Sequence, residues 1–262
     1  MLDDLWKLLS ELKSLEWIEL SHSLTNESPF WDGIPENAVE LGTSLVDYNY
    51  IEGMPLQIQS FKFPGQFGTH IDYPRHFIED GRTSDDFHIK DTILPLIVLD
   101  IIDKVENNFD YEISVEDIVN FEIKHGKIPE NSFVAMRTGW GKRWPDKALL
   151  ENKDYEEKEH YPGWTIETLK YLFEERHVAG VGHETLDTDA PITSCAVGDL
   201  QAERYVLAQD KFQVELLANL DKVPLTGSLI FIAAPRISEA NGLPVRVWAI
   251  IPSKQKKHHK KH

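Results

Sequence analysis

The chain has 262 residues, which is enough for one large domain with a well-buried core. Its net charge of −17 at pH 7 repels phosphate backbones and anionic membranes, so nucleic acid and membrane surfaces are poor candidate partners. The single cysteine, Cys195, excludes an intrachain disulfide and a thiolate zinc cluster.

The N terminus lacks the basic region and small-residue cleavage site of a secretory signal. No stretch approaches the roughly 18 uncharged apolar residues of a membrane span. We therefore expect a soluble cytoplasmic protein. Residues 253–262 are rich in lysine and histidine. We expect them to form a disordered tail, although a cluster of this kind can also bind a metal or a polyanion.

The chain is predicted to begin with an amphipathic helix over residues 1–16. Its apolar residues recur at three- and four-residue spacing: Leu2, Leu5, Trp6, Leu9, Leu12 and Leu15. This stripe is expected to pack on a neighbouring element or on a partner subunit. A short strand at 17–20 and a polar loop with Phe30 and Trp31 follow. Large aromatic side chains favour burial, so we expect both to fold against the core or to line a pocket.

Further strands are predicted where apolar residues run continuously, at 56–63, 95–102, 132–138, 178–181, 228–234 and 245–251. Continuous rather than alternating runs indicate a sheet covered on both faces. Helices are predicted at 114–124 and 165–175, the second with Thr165 as N-cap. Strands and helices are mixed without a strict alternation. The sequence therefore predicts an α/β fold, a single domain over residues 1–252 with a mixed β-sheet flanked by helices.

Potential metal ligands are densest between residues 66 and 76. His70 and Asp72 are two residues apart, so in an extended strand they point to the same face and can meet one ion. Gln66 and His76 lie at even offsets from them. Imidazole, carboxylate and amide oxygen suit Zn²⁺, Mn²⁺ or Fe²⁺. The alternative is a strand and turn whose histidines bond to backbone carbonyls.

Residues 65–77, GQFGTHIDYPRHF, resemble the HxGTHxDxPxH signature of the cyclase family, which includes kynurenine formamidases and isatin hydrolases. The matching residues are Gly68, Thr69, His70, Asp72, Pro74 and His76, whereas Gln66 replaces the first histidine. Four further segments resemble the family in the same order: IELSHSLTNESPFWDGIP, SFVAMRTGW, VAGVGHETLDTD and VELLANLDKVP. The resemblance implies a swivelling β/β/α fold.

The resemblance also implies a ligand set for one or two divalent ions, either Mn²⁺ or Zn²⁺. The first ion would be held by Gln66, His70, Asp72 and Glu215, and His76 would donate and accept protons. Glu203 stands where the two-zinc formamidases carry a histidine. It is expected to be a further ligand or, alternatively, a carboxylate on a helix surface. Oxygen ligands in place of imidazole favour a harder ion such as Mn²⁺.

Three residues are expected on the substrate side. Trp31 stands where formamidases carry a substrate-contacting tryptophan, and Phe67 would add to the apolar wall. His183 departs from the family pattern at the end of a predicted strand. It would face the substrate or, equally, be a buried histidine bonded to backbone.

The resemblance implies a metal-dependent hydrolase that is arylformamidase-like. We expect it to cleave an amide, formamide, cyclic amide or lactone bond of a small aromatic or cyclic substrate through a metal-activated water. The alternatives are a cyclase or dehydratase of the same family and a non-catalytic ligand-binding scaffold. The partner is then a small molecule, and family members of this kind imply a homodimer or homotetramer.

Overall fold

The computed structural model describes residues 2–47 and 56–253. Its strands are β1 (Glu16–Glu19), β2 (Glu40–Asp47), β3 (Gln57–Lys62), β4 (His70–Asp72), β5 (Ile93–Asp100), β6 (Glu112–Ile113), β7 (Phe133–Arg137), β8 (Gly163–Trp164), β9 (Gly180–His183), β10 (Phe212–Glu215), β11 (Ser228–Ala233), β12 (Gly242–Pro244) and β13 (Arg246–Ile251). Its α-helices are α1 (Leu2–Lys13), α2 (Ile102–Val105), α3 (Val115–His125), α4 (Lys147–Glu151), α5 (Ile166–Lys170), α6 (Pro191–Val197) and α7 (Gln201–Ala208).

Nine of these strands form one mixed sheet in the order β1-β13-β11-β5-β7-β9-β10-β4-β12. The central strands β5, β7, β9 and β10 are parallel to one another. The strands on either side of them pair in antiparallel fashion. The predicted α/β class with a mixed sheet is thereby confirmed.

The sheet separates two clusters of buried apolar side chains. Ile97 and Leu99 of β5 belong to one cluster, together with residues of α3 and α5. Leu96 and Val98 of the same strand belong to the other, together with residues of the segment 217–223. Successive side chains of a strand point to opposite faces, so the central strands are covered on both sides. This is why the apolar runs of β5 and β7 are continuous.

The helix boundaries follow local capping chemistry. Ser114 and Asp117 form a reciprocal capping box at the start of α3. Thr165 is the N-cap of α5, as predicted, because its hydroxyl accepts from the backbone N–H of Thr168 at 3.2 Å. The helix predicted to reach residue 175 is α-helical only to Lys170 and ends in one π-helical turn, Tyr171–Glu175.

Strand β10 was not predicted, and its composition explains why. It reads Phe-Gln-Val-Glu, so Gln213 and Glu215 interrupt the apolar run that indicates a buried strand. Both polar side chains are nevertheless buried. A buried polar group needs hydrogen bonds or a counter-charge, so these two residues point to a functional environment.

The two aromatic residues in the loop after β1, Phe30 and Trp31, differ in burial. Phe30 is half-buried and meets the ring of Phe67 edge-on at 6.3 Å. Trp31 is 74 % exposed, so it does not fold against the core, and its expected place in the wall of a pocket stays a prediction. Its indole instead lies over Gly33, where a Cβ atom would come within 2.1 Å of the ring. The missing side chain of Gly33 makes this surface position possible.

Helix α1 has the predicted amphipathic pattern, but its apolar stripe is open to solvent. Leu5 and Trp6 are 69 % and 70 % exposed. The described part of the chain therefore does not cover this stripe, and packing on a partner subunit stays a prediction.

The tail from residue 254 onwards lies outside the described residues, so its expected disorder and the domain boundary at 252 also stay predictions. Within residues 2–47 and 56–253, none of the helices has the length and apolar character that crossing a membrane requires.

Candidate metal centre

Strands β4 and β10 place the first group of candidate ligands. They pair in antiparallel register with Glu215 opposite His70 and Gln213 opposite Asp72. His70 Nε2 lies 3.4 Å from Asp72 Oδ2 and 3.4 Å from Glu215 Oε2. All three side chains are buried. The pairing of two strands thus brings a carboxylate from far along the chain onto the face that His70 and Asp72 share.

Two further groups of possible ligands overlap the first. One contains Asp72, His76 and Glu203, and the other contains Asp187, Glu203 and Glu215. Within each group, one ligand atom per residue lies within 4.8 Å of the others. Asp72 is shared between the first and second groups, and Glu203 and Glu215 are each shared as well. The arrangement is one continuous cluster with room for more than one ligand set.

Glu203 is on α7 but not on its solvent face. Its side chain is buried, and its Oε1 lies 3.8 Å from His76 Nε2. The carboxylate of Asp189 accepts the backbone N–H groups of Ala202 and Glu203 at 2.8 and 2.9 Å. This fixes the first turn of α7 and aims Glu203 into the cluster.

Gln66 reaches the cluster through Asp72. Its Nε2 donates to Asp72 Oδ1 at 3.1 Å. The amide packs against Gly242, where a Cβ atom would lie 2.1 Å from Gln66 Nε2. The residues predicted from the family resemblance as ligands are therefore brought together, and their assignment as ligands stays a prediction.

Burial and like-charge repulsion determine the protonation of the carboxylates. Burial raises the pKa of Glu215, and the charges of Glu203 and Asp72 raise it further. Burial likewise raises the pKa of Glu203, with Asp72 and Asp187 adding to the shift. Burial acts to raise the pKa of Asp72, but the charges of His70 and His76 and the hydrogen bonds from His70 and Gln66 together give a net downward shift.

A cation would relieve this repulsion. Buried carboxylates that repel one another are stable as anions only beside a counter-charge. Within the described residues the groups contain carboxylates and imidazoles, His70 and His76. Such oxygen and nitrogen donors fit Mn²⁺ or Zn²⁺. A divalent ion therefore fits both the charge and the chemistry of the cluster.

His76 lies at the more open side of the cluster. It belongs to the 3₁₀ turn Pro74–His76, and its side chain is 28 % exposed. Burial lowers its pKa, while the charge of Asp72 acts in the opposite direction. A histidine with a lowered pKa is neutral at pH 7 and can accept a proton.

The three residues predicted on the substrate side differ in burial and in their neighbours. Phe67 is fully buried and stacks on Phe63 at 6.3 Å. His183 is fully buried, with Nε2 3.4 Å from Glu215 Oε1, and burial lowers its pKa to about 3. Trp31 lies on the exposed loop described above. The substrate roles of all three stay predictions.

Some residues that shape the centre were not identified from the sequence. Gln213 donates to Glu215 Oε1 at 3.0 Å and to Asp72 Oδ2 at 3.4 Å, and the hydroxyl of Thr188 holds the oxygen of Gln213 at 2.7 Å. Gln213 and Glu215 are two residues apart, as His70 and Asp72 are, so in a strand they point to the same face. This spacing is the feature of the sequence that could have identified Gln213.

Thr69 has a comparable structural role inside the motif. Its hydroxyl donates to the carbonyl of Leu216 at 2.6 Å and accepts the backbone N–H of His22 at 2.9 Å. Thr69 therefore ties the segment after Glu215 and the loop after β1 to the motif. The carboxylate of Glu184, the residue after His183, accepts the backbone N–H groups of Thr138 and Gly139, both at 2.7 Å.

We predict that a divalent ion stabilises the protein more at pH 8 than at pH 5. Glu203 and Glu215 have raised pKa values in the metal-free fold, so they carry protons at low pH that a cation must displace. The affinity of the protein for the divalent ion then rises with pH, by up to about tenfold per pH unit for each proton released. The measurement is the difference in Tm between metal-free protein and protein with Mn²⁺ at the two pH values. An equal difference at both would contradict the prediction.

The chain is similar in sequence to known proteins. The model of the family named Cyclase, described as "Putative cyclase", matches residues 18–190. An isatin hydrolase from Roseibium aggregatum is 32 % identical over 189 residues, which are 71 % of this chain and 71 % of that protein. A kynurenine formamidase from Bacillus cereus is 30 % identical over 125 residues, which are 45 % of this chain and 57 % of that protein.

The fold is also similar to that of a solved structure. A crystal structure of an isatin hydrolase bound to the product analogue thioisatinate superposes with a TM-score of 0.85 at 27 % sequence identity, and the match covers 95 % of this chain and 98 % of the other. The family model matches well over half of the chain, and the match to the isatin hydrolase covers 71 % of it. The chain belongs to the Cyclase family.

Proposed function

We propose that the chain is a metal-dependent hydrolase that cleaves the carbon–nitrogen bond of an amide in a small aromatic or cyclic substrate. The observation that carries the proposal is the cluster of buried carboxylates and His70 around Asp72, with His76 at its open side. Imidazole at such an edge can transfer protons between the centre and a bound substrate. A purely binding scaffold has no use for this group.

The residues that would hold the ion are His70, Asp72 and Glu215, with Gln66 beside Asp72 and Glu203 as a further ligand. A divalent ion supplies a Lewis acid that polarises a carbonyl and lowers the pKa of water. Glutamate at position 203 and glutamine at 66 replace imidazole by oxygen donors. This favours Mn²⁺ over Zn²⁺ as the resident ion.

His76 is the proposed general base and general acid. As a neutral imidazole it takes a proton from the attacking water, whose oxygen bonds to the amide carbon. The carbon–nitrogen bond then breaks, and His76 returns the proton to the leaving nitrogen. Glu203, 3.8 Å from His76 Nε2, stabilises the imidazolium that exists between the two transfers.

A cyclic aromatic amide of the isatin type is the favoured substrate class, because the isatin hydrolase is the relative matched over the greater length. An N-formyl arylamine is the second candidate, supported by the match to kynurenine formamidase over 125 residues. Lactones and the dehydratase reaction lack a comparable relative among those named here.

We predict that a substrate panel will favour the cyclic amide. Purified protein is assayed with isatin, an N-formyl arylamine and an aryl lactone, before and after removal of the ion by a chelator. Hydrolysis of isatin should be fastest, and it should be lost with the ion and regained on adding Mn²⁺. Full activity in protein shown to be free of divalent ions would refute the metal-dependent mechanism. A preference for the formyl compound would move the assignment to the formamidase reaction.

We predict that His76→Ala lowers kcat by about 10²- to 10⁴-fold, the usual contribution of a positioned acid and base. Bound metal should remain near the wild-type content, because the three residues of the first group, His70, Asp72 and Glu215, are intact. His125→Ala is the matched control, since this histidine is exposed at the end of α3. Activity is measured by steady-state kinetics and metal by elemental analysis. A His76→Ala protein with wild-type kcat would remove this residue from the reaction.

We also propose that the protein forms a homodimer or homotetramer. The exposed stripe of α1, with Leu5 and Trp6, supports this, as do Leu45 and Phe61 on the two-stranded β2–β3 sheet, which are 65 % and 62 % exposed. Light scattering coupled to size exclusion should give a mass of two or four chains. Replacing both Leu5 and Trp6 by glutamate should lower the association, and a wild-type monomer at micromolar concentration would contradict the proposal.

A further inference from the structure

His183 is fully buried at the end of β9, next to the candidate metal centre. The indole Nε1 of Trp164, on β8, lies 3.4 Å from His183 Nδ1. An indole N–H can only donate, so Nδ1 must be the accepting nitrogen. The one ring proton of the neutral imidazole then lies on Nε2. Trp164 thereby determines which tautomer His183 adopts.

The Nε2 atom of His183 lies next to Glu215. The distance from Nε2 to Glu215 Oε1 is 3.4 Å, and no well-aligned acceptor for it exists among the described residues. A buried N–H without an acceptor is destabilising, so a small movement that completes this hydrogen bond is favourable. An ionised Glu215 makes the bond charge-assisted and therefore stronger.

The two oxygens of Glu215 have different surroundings. Oε1 accepts from Gln213 Nε2 at 3.0 Å and from the hydroxyl of Thr188 at 3.4 Å, and it is also the oxygen next to His183. Oε2 faces His70 Nε2 at 3.4 Å. The hydrogen-bond donors of Gln213 and Thr188 thus contact Oε1 of Glu215, whereas Oε2 is directed into the cluster.

We propose that His183 is a positioning residue: its Nε2–H holds Glu215 Oε1, and so directs Oε2 of that carboxylate toward the divalent ion. Trp164 acts through His183 by fixing the tautomer. The inference rests on the proposed metal-dependent function and gives His183 no contact with the substrate. Groups that hydrogen-bond to metal-ligating side chains orient them and tune their affinity for the ion.

The test is a matched pair of variants, His183→Phe and His183→Gln. Phenylalanine fills the ring's space without a donor, whereas the amide of glutamine can place an N–H near the position of Nε2. Metal-free protein is titrated with Mn²⁺ alone by isothermal titration calorimetry, without substrate. We expect His183→Phe to weaken Mn²⁺ binding by about 10- to 100-fold, and His183→Gln to restore most of the affinity.

Circular dichroism and thermal unfolding establish that each variant is folded. If His183→Phe does not fold, Trp164→Phe provides the same test, because it removes the indole N–H and keeps an aromatic ring. We expect it to weaken Mn²⁺ binding by about tenfold or less, as the loss of one neutral hydrogen bond allows.

The outcomes separate this inference from the proposed function. Unchanged Mn²⁺ affinity in a folded His183→Phe protein, or in Trp164→Phe where that variant replaces it, would overturn the positioning role and leave the metal-dependent function intact. Equal losses in His183→Phe and His183→Gln would also overturn it, because the donor would then not matter. Wild-type protein that binds neither Mn²⁺ nor Zn²⁺ would instead refute the proposed function.

Discussion

The repulsion among buried carboxylates is the constraint on which the rest of the centre depends. Asp72, Glu203 and Glu215 come from β4, α7 and β10, and all three residues are at most 3 % exposed. Bringing like charges together out of water is unfavourable unless protons or a cation neutralise them. The protein therefore encloses a region of strong negative potential, which only positively charged species can occupy favourably. Its overall negative charge adds to the attraction for such ions.

The surrounding fold provides the rigidity that this repulsion requires. The antiparallel pairing of β4 with β10 fixes His70 opposite Glu215, and β12 pairs with the other edge of β4. Asp189 holds the first turn of α7 through two backbone N–H groups. Each ligand-bearing element is thus held by hydrogen bonds that do not involve the ligand side chains themselves. The stabilisation for a polar, buried site comes from the apolar clusters on the two faces of the sheet.

Features that depend on residues close together in the chain could be predicted from the sequence. The spacing of His70, Asp72 and His76 and the cap at Thr165 depend on neighbours within a few residues, and so they could be recognised. The continuous apolar runs identified β5, β7 and β9 for the same reason, whereas β10, which Gln213 and Glu215 interrupt, was missed. The partnership of His70 with Glu215 joins residues far apart in the chain, and only the family resemblance suggested it. The exposure of Trp31, whose indole lies over Gly33 two residues further on, could not be inferred from its aromatic character alone.

Asp72 faces two groups of candidate ligands at once, His70 with Glu215 on one side and His76 with Glu203 on the other. A positive charge on either side would neutralise the same carboxylate. If both groups can hold an ion, the free energies of filling them would not be additive, because the first ion would lower the attraction for a second. By thermodynamic reciprocity, the two occupancies are linked in both directions. The number of ions carried by this fold would then depend on the free ion concentration around it, and would not be a constant of the chain.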